Sequence, residues 1–217
     1  MTAYGAAASH LVRIRKAGVR LTACVDAVAA SGGYMMAAVA DEICAAPFAI
    51  VGSIGVVTYI PNVQRFLNKH DIDAYLMTAG KHKRTIDVIG EVTEEGKQKL
   101  TEELEDIHTV FKDHVALARP QLRDRINEVA TGEHWLAVQA KERGLVDKIM
   151  TCDEFLESQA GAFEIIEILE VTQKKKGIAG VFDDHAGLLG RLGRVVNKLW
   201  GAVEVPGRRQ LPMAVHV

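Results

Sequence analysis

Between Cys24 and Ala38 a run of mostly small and apolar residues is broken by Ser31-Gly32-Gly33. The residues before the break, 20–29, are rich in Val and Ala and read as a buried strand. Those after it, 34–40, read as a helix. A strand that stops on a tight turn and feeds directly into a helix commits the chain to packed α/β layers. The two glycines let the backbone turn sharply and let a ligand approach closely. A serine at this point admits two readings. It is a good N-cap for the following helix. Alternatively, its hydroxyl is a nucleophile set beside free amides and the positive helix end, which stabilise a developing oxyanion. The turn is not a Gly-x-Ser-x-Gly elbow, because Ala29 stands where the first glycine would be.

The rest of the chain alternates in the same way. Residues 3–17 carry apolar positions at helical spacing (Tyr4, Ala7, Ala8, Leu11, Ile14) and end at Gly18. A short strand is expected at 42–45, closed by Pro47. Residues 49–57, apolar but broken by Gly52 and Gly55, are expected to form a bent strand or a loop between layers. Pro61 should open a helix reaching about residue 68, and 73–78 reads as a strand. Thr93 caps a long helix to about residue 118, with Glu94 and Glu95 at its positive end and Pro120 closing it. A helix at 137–143 stops at Gly144, and strand 145–149 follows. Thr151 and Glu154 have the spacing of a capping box for helix 153–159, and 163–171 reads as a strand. Strands alternating with helices imply mostly parallel pairing.

With 217 residues the chain is long enough for one sizeable core, and 48% apolar with 25% charged residues is a globular composition. A net charge of −2 and a pI near 6.4 give no reason to expect a nucleic-acid partner. Three cysteines, Cys24, Cys44 and Cys152, make no disulfide framework. Cys24 and Cys44 lie in apolar runs and read as small buried hydrophobes. No Cys or His spacing suggests a metal, so neither a metal nor a cofactor is expected. No stretch has the length and purity of a membrane span.

A serine nucleophile needs a base. Two candidates stand in Thr78-Ala-Gly-Lys-His-Lys-Arg-Thr85: His82 by neighbourhood, and Lys83, whose amine serves only if burial or nearby cations lower its pKa. Lys81 and Arg84 supply the like charges. The competing reading is a solvated basic loop.

At these residues the chain resembles the signal peptide peptidase A family, and its SohB-like branch in particular. The matching stretches are Val25-Asp-Ala-Val-Ala-Ala-Ser-Gly-Gly-Tyr-Met-Met-Ala-Ala38, Ala46-Pro-Phe-Ala-Ile-Val-Gly-Ser-Ile-Gly-Val56, the Thr78–Thr85 stretch, and Ala130-Thr-Gly-Glu-His-Trp135 with Gln139-Ala-Lys-Glu-Arg-Gly-Leu-Val-Asp147. The resemblance implies a ClpP/crotonase-like spiral of ββα units. It implies a serine endopeptidase with Ser31 as nucleophile and Lys83 as base, cleaving signal peptides or membrane-protein fragments through an acyl-enzyme. Gly32 would supply an oxyanion-hole amide, and Ser53 could orient Lys83. The implied assembly is a homo-oligomer with sites shared between subunits. The implied location is the inner membrane, on the periplasmic side, for the full-length protein, with this fragment itself soluble.

The chain departs from the family in one respect. Members carry a strand and a Ser-Pro-Gly-Gly turn just before the helix that begins here near Tyr4, and a membrane segment further upstream. An N-terminally truncated chain is therefore expected, with a natural short form as the alternative. The missing glycine amide is the expected second oxyanion donor, and loss of one such donor costs about 10²–10³ in rate. The catalytic domain is expected over 1–172. A basic amphipathic helical extension is expected over 173–217, where Arg191, Arg194 and Lys198 oppose Leu192, Val195, Leu199 and Trp200. That helix either packs on protein or contacts a membrane surface. Two further readings are an impaired, oligomeric peptide-binding or scaffold protein of the same fold, and a crotonase-type acyl-CoA enzyme, which needs neither Ser31 nor Lys83.

Overall fold

The strand expected at 20–29 is two strands, and the step between them organises the molecule. In the computed structural model, which describes residues 2–168, β1 (Thr22–Val25) and β2 (Val28–Ala30) belong to different three-stranded sheets. The chain steps from one sheet to the other at Asp26–Ala27. It repeats the step from β3 (Glu42–Ala45) to β4 (Ile50–Gly52), so the first sheet begins β1-β3 and the second β2-β4, both parallel. Backbone bonds carry the pairing through the step: Ala46 N donates to Val25 O at 2.9 Å and Ile50 N to Ala27 O at 2.8 Å. Both halves are apolar, so within this run only Asp26 stands at the point of division.

The helix α1 (Thr2–Lys16) precedes β1, and α2 (Gly32–Ala37) connects β2 to β3. After β4 come α3 (Gln64–Lys69), the long α4 (Glu94–Ala118), a 3-10 segment at Pro120–Arg125 and the single turn α5 (Ile126–Val129). Strand β5 (His134–Leu136) joins the second sheet antiparallel to β4. After α6 (Ala137–Glu142), β6 (Lys148–Ile149) joins the first sheet parallel to β3, and α7 (Cys152–Gln159) follows. The fold is thus mixed α/β. Residues Met1–Ile165 form one compact unit. The boundary expected at 172 and the helix expected over 188–203 lie outside the described residues.

Small residues allow the layers to approach closely. Ala8 of α1, Ala38 and Val39 beside α2, and Ile43 and Ala45 of β3 are all buried. Tyr34 is fully buried, and its hydroxyl donates to Leu145 O at 3.0 Å, so the one polar atom it brings inside has a partner. The same economy governs Arg119, 4% exposed just after α4. Its guanidinium grips Asp147 with two bonds, of 2.8 and 2.6 Å, while Asp147 also accepts from Ile43 N at 2.7 Å. Burial opposes ionisation of Asp147, but the Arg119 bonds and the Ile43 amide outweigh it and hold its carboxyl below the usual range. This clamp ties the end of α4 to β3 and β6.

Three expectations need correction. Residues 73–78 form no strand; every residue from 71 to 80 is exposed, and among the described residues no strand pairs with them. Residues 163–168 are likewise exposed coil, and 169–171 lie outside the described residues. The helix expected from Pro61 starts later, at Gln64, because Asn62 is used otherwise: its amide donates to Asp87 O at 2.9 Å and Gly90 O at 2.8 Å.

Candidate active site

The Ser31 turn is held by the second sheet. Ala30 and Gly52 are register partners at the ends of parallel strands β2 and β4, so Ser31 and Ser53 are the next residues at the same level. Ser31 N donates to Gly52 O at 2.8 Å, and Ser53 N donates to Glu133 O at 2.6 Å. Gly52 itself lies at φ 112, with the Trp135 ring 3.0 Å from where a Cβ would sit. No other residue type satisfies both that conformation and that contact. Gly55 is similarly confined, since a Cβ there would lie 2.9 Å from the Gly132 Cα.

The backbone of Ser31 bears on the capping reading. At φ 52 and ψ −117 it lies in a region that L-residues rarely occupy, and its side chain makes no capping bond to α2. It is therefore no N-cap by hydrogen bonding. A non-glycine residue costs about 1–3 kcal/mol in such a conformation and persists only where its surroundings enforce it, which is characteristic of functional sites. A serine on a strained strand-to-helix turn is also the mechanical principle of the nucleophile elbow, reached here without that motif's first glycine. Ser53 shares the feature at φ 52.

Gly32 is the first residue of α2, so its amide has no partner within the helix. It is buried, and the Tyr4 side chain of α1 lies against it, with ring carbons 2.3 Å from where a Cβ would stand. Glycine is required by that contact.

Lys83 is placed differently. It sits on an exposed turn where its amide donates to Gly80 O at 3.1 Å. Lys81, one of the cations expected to lower its pKa, is paired to Glu95 at 3.0 Å and holds that carboxyl below its usual range. Among the described residues no side-chain hydrogen bond ends on Ser31 Oγ, Ser53 Oγ or Lys83 Nζ. The structure thus brings Ser31, Gly32 and Ser53 together on adjoining turns, while Lys83 lies on an exposed arm. That arm carries its own cleft, lined by residues including Leu67, Arg84, Thr85 and Asp87. Sequence reasoning passed over Glu133 and His134. The first bonds Ser53, and the second is the register partner of Gly52. Only the antiparallel return of β5 places them there.

Comparison with known proteins bears on this geometry. The family model described as Peptidase family S49 matches residues 13–165. A probable protease SohB of Haemophilus influenzae is 57% identical over 153 residues, covering 70% of this chain and 43% of its own length. A probable protease SohB of Buchnera aphidicola from Acyrthosiphon pisum is 48% identical over 172 residues, covering 79% of this chain and 51% of its own. A chloroplastic serine protease SPPA of Arabidopsis thaliana is 32% identical over 123 residues, 56% of this chain and 18% of its own. The chain spans about half the length of the SohB relatives it matches.

Proposed function

The chain belongs to peptidase family S49, and from that premise we propose that it is the catalytic part of a serine endopeptidase working through a Ser31–Lys83 dyad. The observation that carries the proposal is the strained, uncapped Ser31 at the end of β2. In this reading neutral Lys83 takes the Ser31 proton as Oγ attacks a peptide carbonyl, and the amine of the leaving peptide takes a proton back. Water then releases the acyl-enzyme. The Gly32 amide and the N-terminal end of α2 face the oxyanion, and Ser53 orients the Lys83 amine. The twice-repeated strand step, first to α2 and then onward, supports a ClpP/crotonase-like spiral of ββα units.

The proposed dyad requires the Lys83 amine to be taken out of water, and the arm that bears it is exposed. The arm bears Tyr59, Tyr75 and Met77 at 88%, 81% and 90% exposure, an apolar surface suited to a second copy of the chain. We accordingly read the active form as a homo-oligomer with sites shared between subunits. The substrates fitting this reading are signal peptides and membrane-protein fragments, at the periplasmic side of the inner membrane, with the C-terminal segment as a membrane-surface contact. Among the described residues no helix is long and apolar enough to cross a membrane.

A labelled fluorophosphonate tests the proposal. It should label the wild type and fail on Ser31→Ala, while Lys83→Ala should label far more slowly. Equal labelling of wild type and Ser31→Ala, or none of either, refutes a serine hydrolase. The exposure of Lys83 favours a second reading, an oligomeric peptide-binding protein of the same fold without turnover. Peptide binding with no labelling at any protein concentration would establish that reading instead.

A further inference from the structure

The three cysteines, far apart in sequence, meet at one place. Cys24 of β1 and Cys44 of β3 are direct register partners, and so project from the same face of the first sheet. Cys152 opens α7, the helix packed on those two strands. Two bonds bring it there. Met150 N donates to Ala45 O at 2.9 Å, and the Asp26 carboxylate, two residues along the chain from Cys24, accepts from Cys152 N at 2.8 Å. The Cys24 and Cys152 side chains lie against each other. Both are partly exposed, whereas Cys44 is fully buried beneath them.

We propose that Cys24 and Cys152 form a thiol pair that closes into an intramolecular disulfide when the protein meets a small-molecule disulfide oxidant. Cys44 is excluded by its burial, which keeps an oxidant away. Cys152 stands at a helix end, free to make the small adjustment that a bond requires. Burial first, and then the neighbouring Cys152, push the Cys24 thiol up to about 12. Cys24 is therefore the resolving partner and not the first to attack. The Cys152 sulfur displaces one thiol from the oxidant and forms a mixed disulfide. The Cys24 sulfur then displaces the second thiol, forming the Cys24–Cys152 bond. Two electrons and two protons pass to the oxidant, which leaves as two thiols. The bond would tie α7 to the strand that leads through Asp26 and β2 to Ser31, whether or not Ser31 is a nucleophile.

The test uses the full chain, folded and reduced, then incubated with oxidised glutathione and blocked with N-ethylmaleimide. Peptide mapping should find residues 24 and 152 linked and Cys44 blocked as a free thiol. Cys44→Ala should close as readily, and Cys24→Ser should stop at the Cys152–glutathione adduct. Because the bond closes the long loop from residue 24 to residue 152, the oxidised wild type should melt several degrees higher, an increase abolished by dithiothreitol. A 24–44 link, a disulfide-linked dimer as the main product, or an adduct on Cys152 that never closes in the folded wild type would each overturn the proposal. The mapping is made on the wild type, so a poorly folding variant does not blunt it.

Discussion

Replacing Ser31 by glycine should make the protein more stable, while replacing it by alanine should change little. The conformation at Ser31, φ 52 and ψ −117, is the mirror image of the extended region near φ −52 and ψ +117. For an L-residue the two differ steeply, and the strained one costs about 1–3 kcal/mol. Achiral glycine finds them equal. Against the relief stands glycine's larger entropy in the unfolded chain, about 0.5–1 kcal/mol. Ser31→Gly should therefore exceed Ser31→Ala by about 0.5–2 kcal/mol. For a chain of this size that is a difference of about 1–8 °C in Tm. Ser31→Ala itself should lie within about 0.5 kcal/mol of the wild type, since the hydroxyl makes no capping bond. Urea unfolding of the three proteins, with equal m-values as the check on comparability, measures this directly. If Ser31→Ala is as stable as Ser31→Gly, the turn is not strained, and the structural argument for a nucleophile fails. A gain on relieving the backbone is expected where stability has been given up for function.

Other perturbations test the packing around the site. Gly32→Ala drives a methyl into the Tyr4 side chain and should cost about 1–3 kcal/mol. Thermal unfolding in a Tyr4→Ala background should recover most of that loss, and additive costs would refute the contact. Asp147→Asn leaves the buried Arg119 guanidinium without its counter-charge. Because Asp147 is about a third exposed, the cost should fall below that of a fully buried pair, at about 2–3 kcal/mol. The Asp147 carboxyl is held below its usual range in the folded state. The wild-type advantage should therefore be complete above the unfolded value of about 3.9, and vanish as pH falls from there through the lower folded value. Denaturation series against pH for both proteins would expose a contrary trend.

Local signals were legible wherever a few adjacent residues settle the outcome. Thr93 caps α4 by accepting from Gly96 N, as its position before Glu94 and Glu95 predicts. Thr151 and Glu154 form the reciprocal capping box at α7. Pro120 closes α4, and Gly18, at φ 85, follows the end of α1. Strand 73–78 was misread because a short apolar run such as Ala74-Tyr-Leu-Met77 forms a strand only if a partner exists. Here Tyr75 and Met77 face solvent at 81% and 90% exposure. The split of 20–29 into β1 and β2 was hidden for another reason: both halves are apolar, and Asp26 alone marks the place where the sheet changes.

By itself, then, the sequence determined the α/β class, the helix ends and the turn that presents Ser31. Each depends on interactions spanning a few residues. Tertiary structure alone decided the rest. It bound Ser31 N to Gly52 O, and that bond, with the parallel pairing of β2 and β4, enforces a backbone conformation that serine does not choose. It brought three distant cysteines to one face and set Lys83 on an exposed arm. These features rest on contacts between residues tens of positions apart, whose geometry is fixed only when the two sheets and their helices pack.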